Sequence, residues 1–202
     1  MTDPIIESGT PENKQSRPPF LVRRRTVFTW LAPLLLFAAS MYFRRSEGGF
    51  GAFSAGFGLL VAGEAVRFWA AGYIAKDADI ATGGPYAFVR NPLYFGSLLL
   101  AVGYGLMSGL GVAAVTAMLV VFVAFHMAAI LYEESFLKGK FGQPYLDYIA
   151  QVPRLIPSIV PKTSGKGSYS WSQAIYNREH ISAAFALGFA ALLSLRFLWL
   201  KG

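Results

Sequence analysis

Five long apolar runs, Thr26 to Phe43, Gly51 to Ile74, Tyr94 to Leu110, Val112 to Tyr132 and Ile181 to Leu200, constrain this chain more than any other feature. In a bilayer each run satisfies its backbone internally as a helix, a solution that water-exposed apolar segments of this length lack. The first run has 18 residues; at 1.5 Å per residue it reaches about 27 Å, close to the hydrocarbon thickness. Together the runs take up about half of the 202 residues, and only 14% of the chain is charged against about 25% in soluble domains. The expected fold is an all-α, polytopic membrane helix bundle of about five transmembrane helices, one domain over 23–202. A tail over 1–22, polar and rich in Pro, Ser and Thr, precedes it; it has no signal-peptide pattern and is expected to be disordered.

The net charge is +7, from 18 Lys and Arg against 11 Asp and Glu. These cations gather at the ends of apolar runs, where they meet anionic headgroups and set orientation. With a cytoplasmic N-terminus, the segments Ala75 to Leu93 and Glu133 to His180 fall on the cytoplasmic side. They hold Lys76, Arg90, Lys138, Lys140, Arg154, Lys162, Lys166 and Arg178, whereas Arg44 and Arg45 break the rule. Membrane lipids are thus the expected partners of the charge, and no nucleic-acid module accompanies it. The absence of cysteine excludes disulfides, thiolate metal sites and a Cys nucleophile, and no metal centre is expected.

Four features sit inside the runs. Glu64 and Arg67, three residues apart, share a helical face and need a partner or a polar cavity. His126 reads as an interhelical hydrogen bonder. Gly105 and Gly109 form a G-x-x-x-G pair for close helix approach, and Arg196 is placed to snorkel to the interface.

The chemistry is expected in the two connecting segments. The first runs Thr82-Gly-Gly-Pro-Tyr86-Ala-Phe-Val-Arg90-Asn91-Pro92-Leu93-Tyr94-Phe-Gly96, in which two X-Pro breaks bracket a short helical turn. It delivers Tyr86, Arg90, Asn91 and Tyr94 to the mouth of the third span, where free backbone N–H groups can receive an anion. The second begins Glu133-Glu134-Ser-Phe-Leu and continues through Phe141-Gly-Gln-Pro-Tyr145-Leu-Asp-Tyr148 to Val152-Pro-Arg154-Leu-Ile-Pro157. Carboxylates directly after a span are costly there, and the helix dipole disfavours acids at a C-terminus. Pro144 opens a helix that must end near Val152, ahead of Pro153. Its Tyr145, Tyr148 and Ile149 share a face suited to a pocket or to the bilayer surface.

This ordered pair of motifs, separated by one helical hairpin, resembles the isoprenylcysteine carboxyl methyltransferase and phospholipid methyltransferase family of integral membrane methyltransferases. Gly63-x-x-x-Arg67-x-Trp69-Ala70 is similar to the preceding span of that family. The resemblance implies S-adenosyl-L-methionine as methyl donor, bound in a cytoplasmic cofactor pocket without a Rossmann sheet, and a lipophilic methyl acceptor. By motif alignment it implies donor contacts at Ala78, Asp79, Ile80 and Ala81, at Tyr86, at Asn91, Pro92, Leu93 and Tyr94, and at Glu133. Tyr148 and Arg154 are further candidates for the same pocket. Glu134 and Glu64 are candidates for a base and Arg67 for a catalytic role, because a neutral amine acceptor must lose a proton and a carboxylate need not. Two positions depart from the family pattern: Asn91 replaces its usual His, and Ala129 stands where the prenylcysteine enzymes place a substrate-binding Arg. The loss of that cation favours a phospholipid amine over a prenylcysteine carboxylate as acceptor. The competing readings are an NADPH-dependent membrane reductase of the sterol-reductase kind and a non-catalytic membrane subunit or transporter.

Overall fold

The computed structural model describes residues 20–44, 47–74, 80–165 and 167–200. Eight α-helices occupy them: α1 (Phe20–Phe43), α2 (Gly49–Ala71), α3 (Pro92–Met107), α4 (Gly111–Phe122), α5 (Ala128–Phe141), α6 (Gln143–Gln151), α7 (Trp171–Tyr176) and α8 (Glu179–Trp199). No strand occurs among the described residues. A 3-10 turn at Gly84–Ala87 fills the gap between the two X-Pro breaks, and a π-helical turn at Val123–Met127 joins α4 to α5.

The helices follow the five apolar runs, with changes at their ends. The helical stretches Gly49–Ala71, Gly111–Phe141 and Glu179–Trp199 are long and apolar enough to cross a bilayer, while Thr29–Phe43 and Pro92–Met107 are apolar but shorter. Helix α1 starts at Phe20, so the last three residues assigned to the tail are helical and 1–19 lie outside the described residues. The fourth run continues as one rod to Phe141, beyond the expected end at Tyr132. Glu133 and Glu134 therefore sit inside a helix rather than at its C-terminus, and the dipole argument does not apply to them.

Glycine sets the closest helix contact, though not at the expected pair. A methyl group at Gly63 would lie 2.8 Å from the Gly96 carbonyl oxygen, and one at Gly56 would lie 2.7 Å from that of Gly103. The relation is reciprocal, so α2 and α3 touch backbone to backbone at two levels. Such contact allows Cα–H···O interactions and dense packing where lipid supplies no hydrophobic drive between helices. Gly105 does approach α4, where an added methyl group would lie 2.8 Å from the Val115 Cα, but Gly109 lies past the end of α3 at φ +69° and serves the turn.

Arg196 does not snorkel. It is 3% exposed and donates to the Ser40 carbonyl through Nε at 3.0 Å and Nη2 at 2.8 Å. The last carbonyls of α1 have few intrahelical partners and carry the negative end of the helix dipole, and there a buried guanidinium gains more than at the membrane surface. Nearby, the Arg44 guanidinium lies 4.6 Å from the centre of the Trp199 ring. At the same end of the bundle an apolar groove of about 500 Å3 runs between α1 and α4.

The opposite end is closed by the connecting segments. The segment before α3 is laced to the one after α6 by Arg90 N–H to Pro153 O (2.9 Å), Ser158 N–H to Phe88 O (3.0 Å) and Lys162 N–H to Ala87 O (2.8 Å). Asn177 donates to the carbonyls of Ala71 and Ile74, which ties the approach to α8 onto the end of α2. Gly142, at φ +58°, turns the chain from α5 into α6, where Pro144 is the second residue, and α6 ends at Gln151 ahead of Pro153.

Candidate active site: two cavities joined at Tyr94 and Glu133

The capped end holds a pocket of about 210 Å3 whose walls come from both motif segments. Ile80, Ala81, Tyr86, Asn91, Pro92, Leu93, Tyr94, Glu133 and Tyr148 all line it, as do Tyr145, Arg90 and Lys140. Helix α6 presents Tyr145 and Tyr148 inward, both buried, so its tyrosine face closes a pocket and does not lie on the bilayer. The Tyr148 hydroxyl donates to the Tyr86 carbonyl at 2.9 Å. Burial raises the Tyr145 phenol to about 12 and holds the Tyr86 and Tyr148 phenols above their ordinary value as well. All three stay neutral donors with aromatic faces.

The adjacent carboxylates have separate surroundings, because successive helical residues point about 100° apart. Glu133 faces the pocket and accepts a hydrogen bond from the Tyr94 hydroxyl at 2.9 Å. Glu134, 2% exposed, lines neither cavity. Its oxygens accept from Arg154 Nε at 3.1 and 3.2 Å, and Arg154 Nη2 lies 3.0 Å away. Asn91 Nδ2 donates to it at 3.1 Å, and Arg90 Nη1 stands 3.6 Å off. Asn91 also donates to the Arg154 carbonyl at 3.0 Å. The cluster thus uses up Glu134, which was read as a base, and draws Arg154, read as a donor contact, out of the pocket wall. Ala78 and Asp79 lie outside the described residues.

A second cavity of about 300 Å3 lies deeper in the bundle and shares Leu93, Tyr94 and Glu133 with the first. Both charges of α2 face it. Arg67 pairs with Glu179 at 2.6 Å and donates to Ser97 Oγ at 2.6 Å and to Ser182 Oγ at 3.1 Å. Glu64 is 8% exposed, and both its oxygens are buried without a hydrogen-bond partner among the described residues. The charge pair that three-residue spacing suggested is thus divided, with Arg67 held by α8 and Glu64 left to the cavity. His126 lies on the π-helical turn, 3.4 Å from Thr29 Oγ1 of α1 and edge-on to Tyr94, which matches its reading as an interhelical hydrogen bonder. Sequence reasoning missed Glu179, Ser97 and Ser182. The acid at the start of the last span was the one available signal, and only the fold brings it to Arg67. Ala129 is fully buried and lines neither cavity.

The comparisons with known proteins agree with this geometry. Residues 52–144, which hold most of α2, the first motif segment, the hairpin and both carboxylates, match the phospholipid methyltransferase family. A cobalt-zinc-cadmium resistance protein of Cupriavidus metallidurans is 29% identical over 171 residues, covering 82% of this chain and 68% of that protein. Protein-S-isoprenylcysteine O-methyltransferase B of Arabidopsis thaliana is 35% identical over 80 residues, 40% of each chain. The corresponding Schizosaccharomyces pombe methyltransferase is 34% identical over 101 residues, 50% of this chain and 42% of that enzyme. The chain therefore spans less than half the length of these isoprenylcysteine methyltransferases. No solved structure matches it. The matched segment supplies Tyr94 and Glu133, which join the two cavities, and over that segment the chain is similar to the phospholipid methyltransferase family.

Proposed function

We propose that the protein transfers a methyl group from S-adenosyl-L-methionine to a lipophilic acceptor, with the donor in the pocket under the cap and the acceptor in the inner cavity. The observation that carries this reading is the junction: one carboxylate, Glu133, and one phenol, Tyr94, are walls of both spaces and hydrogen-bond to each other. The pocket chemistry fits the donor. Glu133 suits an ammonium group, Arg90 and Lys140 suit a carboxylate, and the tyrosine rings suit a sulfonium or an adenine face. When bound, the donor supplies an electrophilic methyl carbon, and transfer to an amine breaks a C–S bond, forms a C–N bond and frees one proton.

The protein's share of the work is alignment and exclusion of water. Tyr94 fixes the rotamer of Glu133, the Glu134 cluster fixes Asn91 and the start of α3, and α6 closes the pocket over them. A phospholipid amine is favoured over a prenylcysteine carboxylate, because the guanidinium that reaches the inner cavity already carries Glu179 as its counter-ion. A cytoplasmic placement of the capped end is supported by its basic residues, with Arg90, Lys138, Lys140, Arg154 and Lys162 all in or beside it.

Calorimetry of the detergent-purified protein tests the reading. S-adenosylmethionine and S-adenosylhomocysteine are expected to bind, and Glu133→Ala to weaken both at least tenfold, about 1.4 kcal/mol. Absence of adenosyl binding to folded protein overturns it. NADPH binding would then point to the reductase, and silence from all three ligands to a non-catalytic subunit.

A further inference from the structure

Glu64 is a charged group in the inner cavity for which the function proposed above has no task. Its carboxylate is more than nine-tenths buried, lies in a mainly apolar cavity and has no hydrogen-bond partner among the described residues. Arg67, one turn away, gives its hydrogen bonds to Ser97 and Ser182 and its charge to Glu179. A buried carboxyl group without a partner is expensive, and sites that bind a ligand donor are where such a cost persists.

The inner cavity also continues beyond Glu64. Ala32, Met118 and Val121 line both it and the groove between α1 and α4, so the two spaces adjoin. Every residue lining the groove is apolar, and Ala39, Ala113, Ala114 and Ala117 keep it open. From Ala32 to Phe43 it follows α1 for about 16 Å at helical rise.

We propose that Glu64 and the α1–α4 groove are the two ends of one acceptor site. Glu64 receives the N–H or O–H of a neutral or cationic headgroup, and the groove takes one hydrocarbon tail. This deepens the methyltransferase reading and rests on it. The site selects for head chemistry by what the carboxylate can accept: an amine, ammonium or alcohol supplies a donor, whereas a carboxylate head brings a second negative charge beside Glu64. It selects for tail length by the alanines of α4.

Trp30, which lines the inner cavity, is a built-in reporter. In a Trp69→Phe, Trp171→Phe, Trp199→Phe background, its fluorescence is titrated with dodecylamine, dodecanol and dodecanoate at equal mole fraction in detergent. The amine is expected to bind at least tenfold more tightly than the carboxylate, and Glu64→Gln to reduce that ratio below threefold. Affinity for alkylamines is expected to rise from eight to sixteen carbons, and Ala117→Phe to abolish the gain for the longer tails while leaving the shortest unchanged. Equal binding of all three heads, a head preference that survives Glu64→Gln, or a length dependence indifferent to Ala117→Phe overturns the proposal. S-adenosylhomocysteine calorimetry on the same variants separates the two ideas. Adenosyl binding with no head or tail selectivity defeats the acceptor site alone, whereas loss of adenosyl binding in the parent protein defeats the methyltransferase reading itself.

Discussion

The pocket under the cap and the cavity beneath it share a wall at Tyr94 and Glu133, yet they are held together by opposite means. The pocket is built from two short segments tied by directed bonds: the backbone lacing of Arg90, Ser158 and Lys162, the Tyr148 hydroxyl on Tyr86, and the Glu134 cluster. The inner cavity is bounded by six helices, α1 to α5 and α8, that meet largely through shape, with Gly56, Gly63, Gly96 and Gly103 bringing α2 and α3 into backbone contact. Hydrogen bonds dominate the first, and close steric fit dominates the second, to which Arg67 and Arg196 add directed contacts. Damage to one should therefore look unlike damage to the other.

The largest expected effect is at Glu134. Replacing it with alanine strands Arg154 and Arg90 near each other and leaves Asn91 half-bonded, a change that costs on the order of 3 kcal/mol when one partner of a buried ion cluster is removed. Part of that is relieved because the Arg154 side chain is 40% exposed. The cap is expected to loosen first, so limited proteolysis should cut within 142–170 while the helix bundle keeps its circular dichroism. Uniform melting of both regions would mean that pocket and bundle form one cooperative unit.

Gly63→Ala comes next and strikes the other region. The added methyl meets the Gly96 carbonyl at 2.8 Å, and neither backbone can yield cheaply, so overpacking of about 1 to 3 kcal/mol is expected. Gly58→Ala on the same helix is the control, because nothing lies within 4 Å of its Cβ position, and the substitution should be neutral or mildly stabilising. Thermal unfolding in one detergent should rank Gly63→Ala below Gly58→Ala; equal midpoints would refute the steric account of α2–α3 packing.

The same division explains what the chain's order of residues discloses. Turn signals, X-Pro breaks and tyrosine spacing are local, so the 3-10 turn, the start of α3 and the limits of α6 were legible before any helix was packed, whereas Ile80, Ala81, Asn91, Leu93 and Glu133 of the pocket followed from the family resemblance of the two motif segments. Glu133 and Glu134 were legible as a pair, but their separate fates depend on Arg154, which α6 brings back from twenty positions further on. The inner cavity was legible only as two misplaced charges. The link from Arg67 to Glu179 joins the second span to the last, and no spacing rule relates them. The glycine contacts escaped for a related reason: Gly56 and Gly63 pack against Gly103 and Gly96 at heptad spacing on antiparallel helices, a pattern that the four-residue motif at Gly105 and Gly109 overshadowed. Arg196 was misread because a charge near a span's end has two outlets, water or a helix carbonyl with acceptor capacity to spare, and only the packing of α1 supplies the second.

A smaller effect tests the shared wall. Tyr94→Phe removes the hydroxyl that donates to Glu133 and keeps the ring, a loss of about 1.5 kcal/mol for one hydrogen bond to a carboxylate. Adenosyl affinity is expected to fall roughly tenfold. If Tyr94 also aligns the acceptor space, the alkylamine affinity read from Trp30 should fall with it. A drop confined to the adenosyl ligand would make the two cavities independent neighbours.

The smallest expected effect is on alkaline stability, and it belongs to the pocket alone. Burial raises the phenols of Tyr86, Tyr145 and Tyr148, with Tyr145 at about 12, above the value of about 10 that an unfolded tyrosine has. Between those limits the folded protein holds protons that the unfolded chain has released, so stability is fully present below pH 10 and is lost as pH rises through the folded values. Limited proteolysis within 142–170 should therefore accelerate above pH 10, while the bundle, held mainly by close packing and by arginines that stay charged, keeps its helicity. Tyr145→Phe removes one titrating group and should flatten the rise. An unchanged pH dependence in that variant would assign the alkaline loss to groups outside the pocket and would weaken the contrast between a cap held by directed bonds and a bundle held by fit.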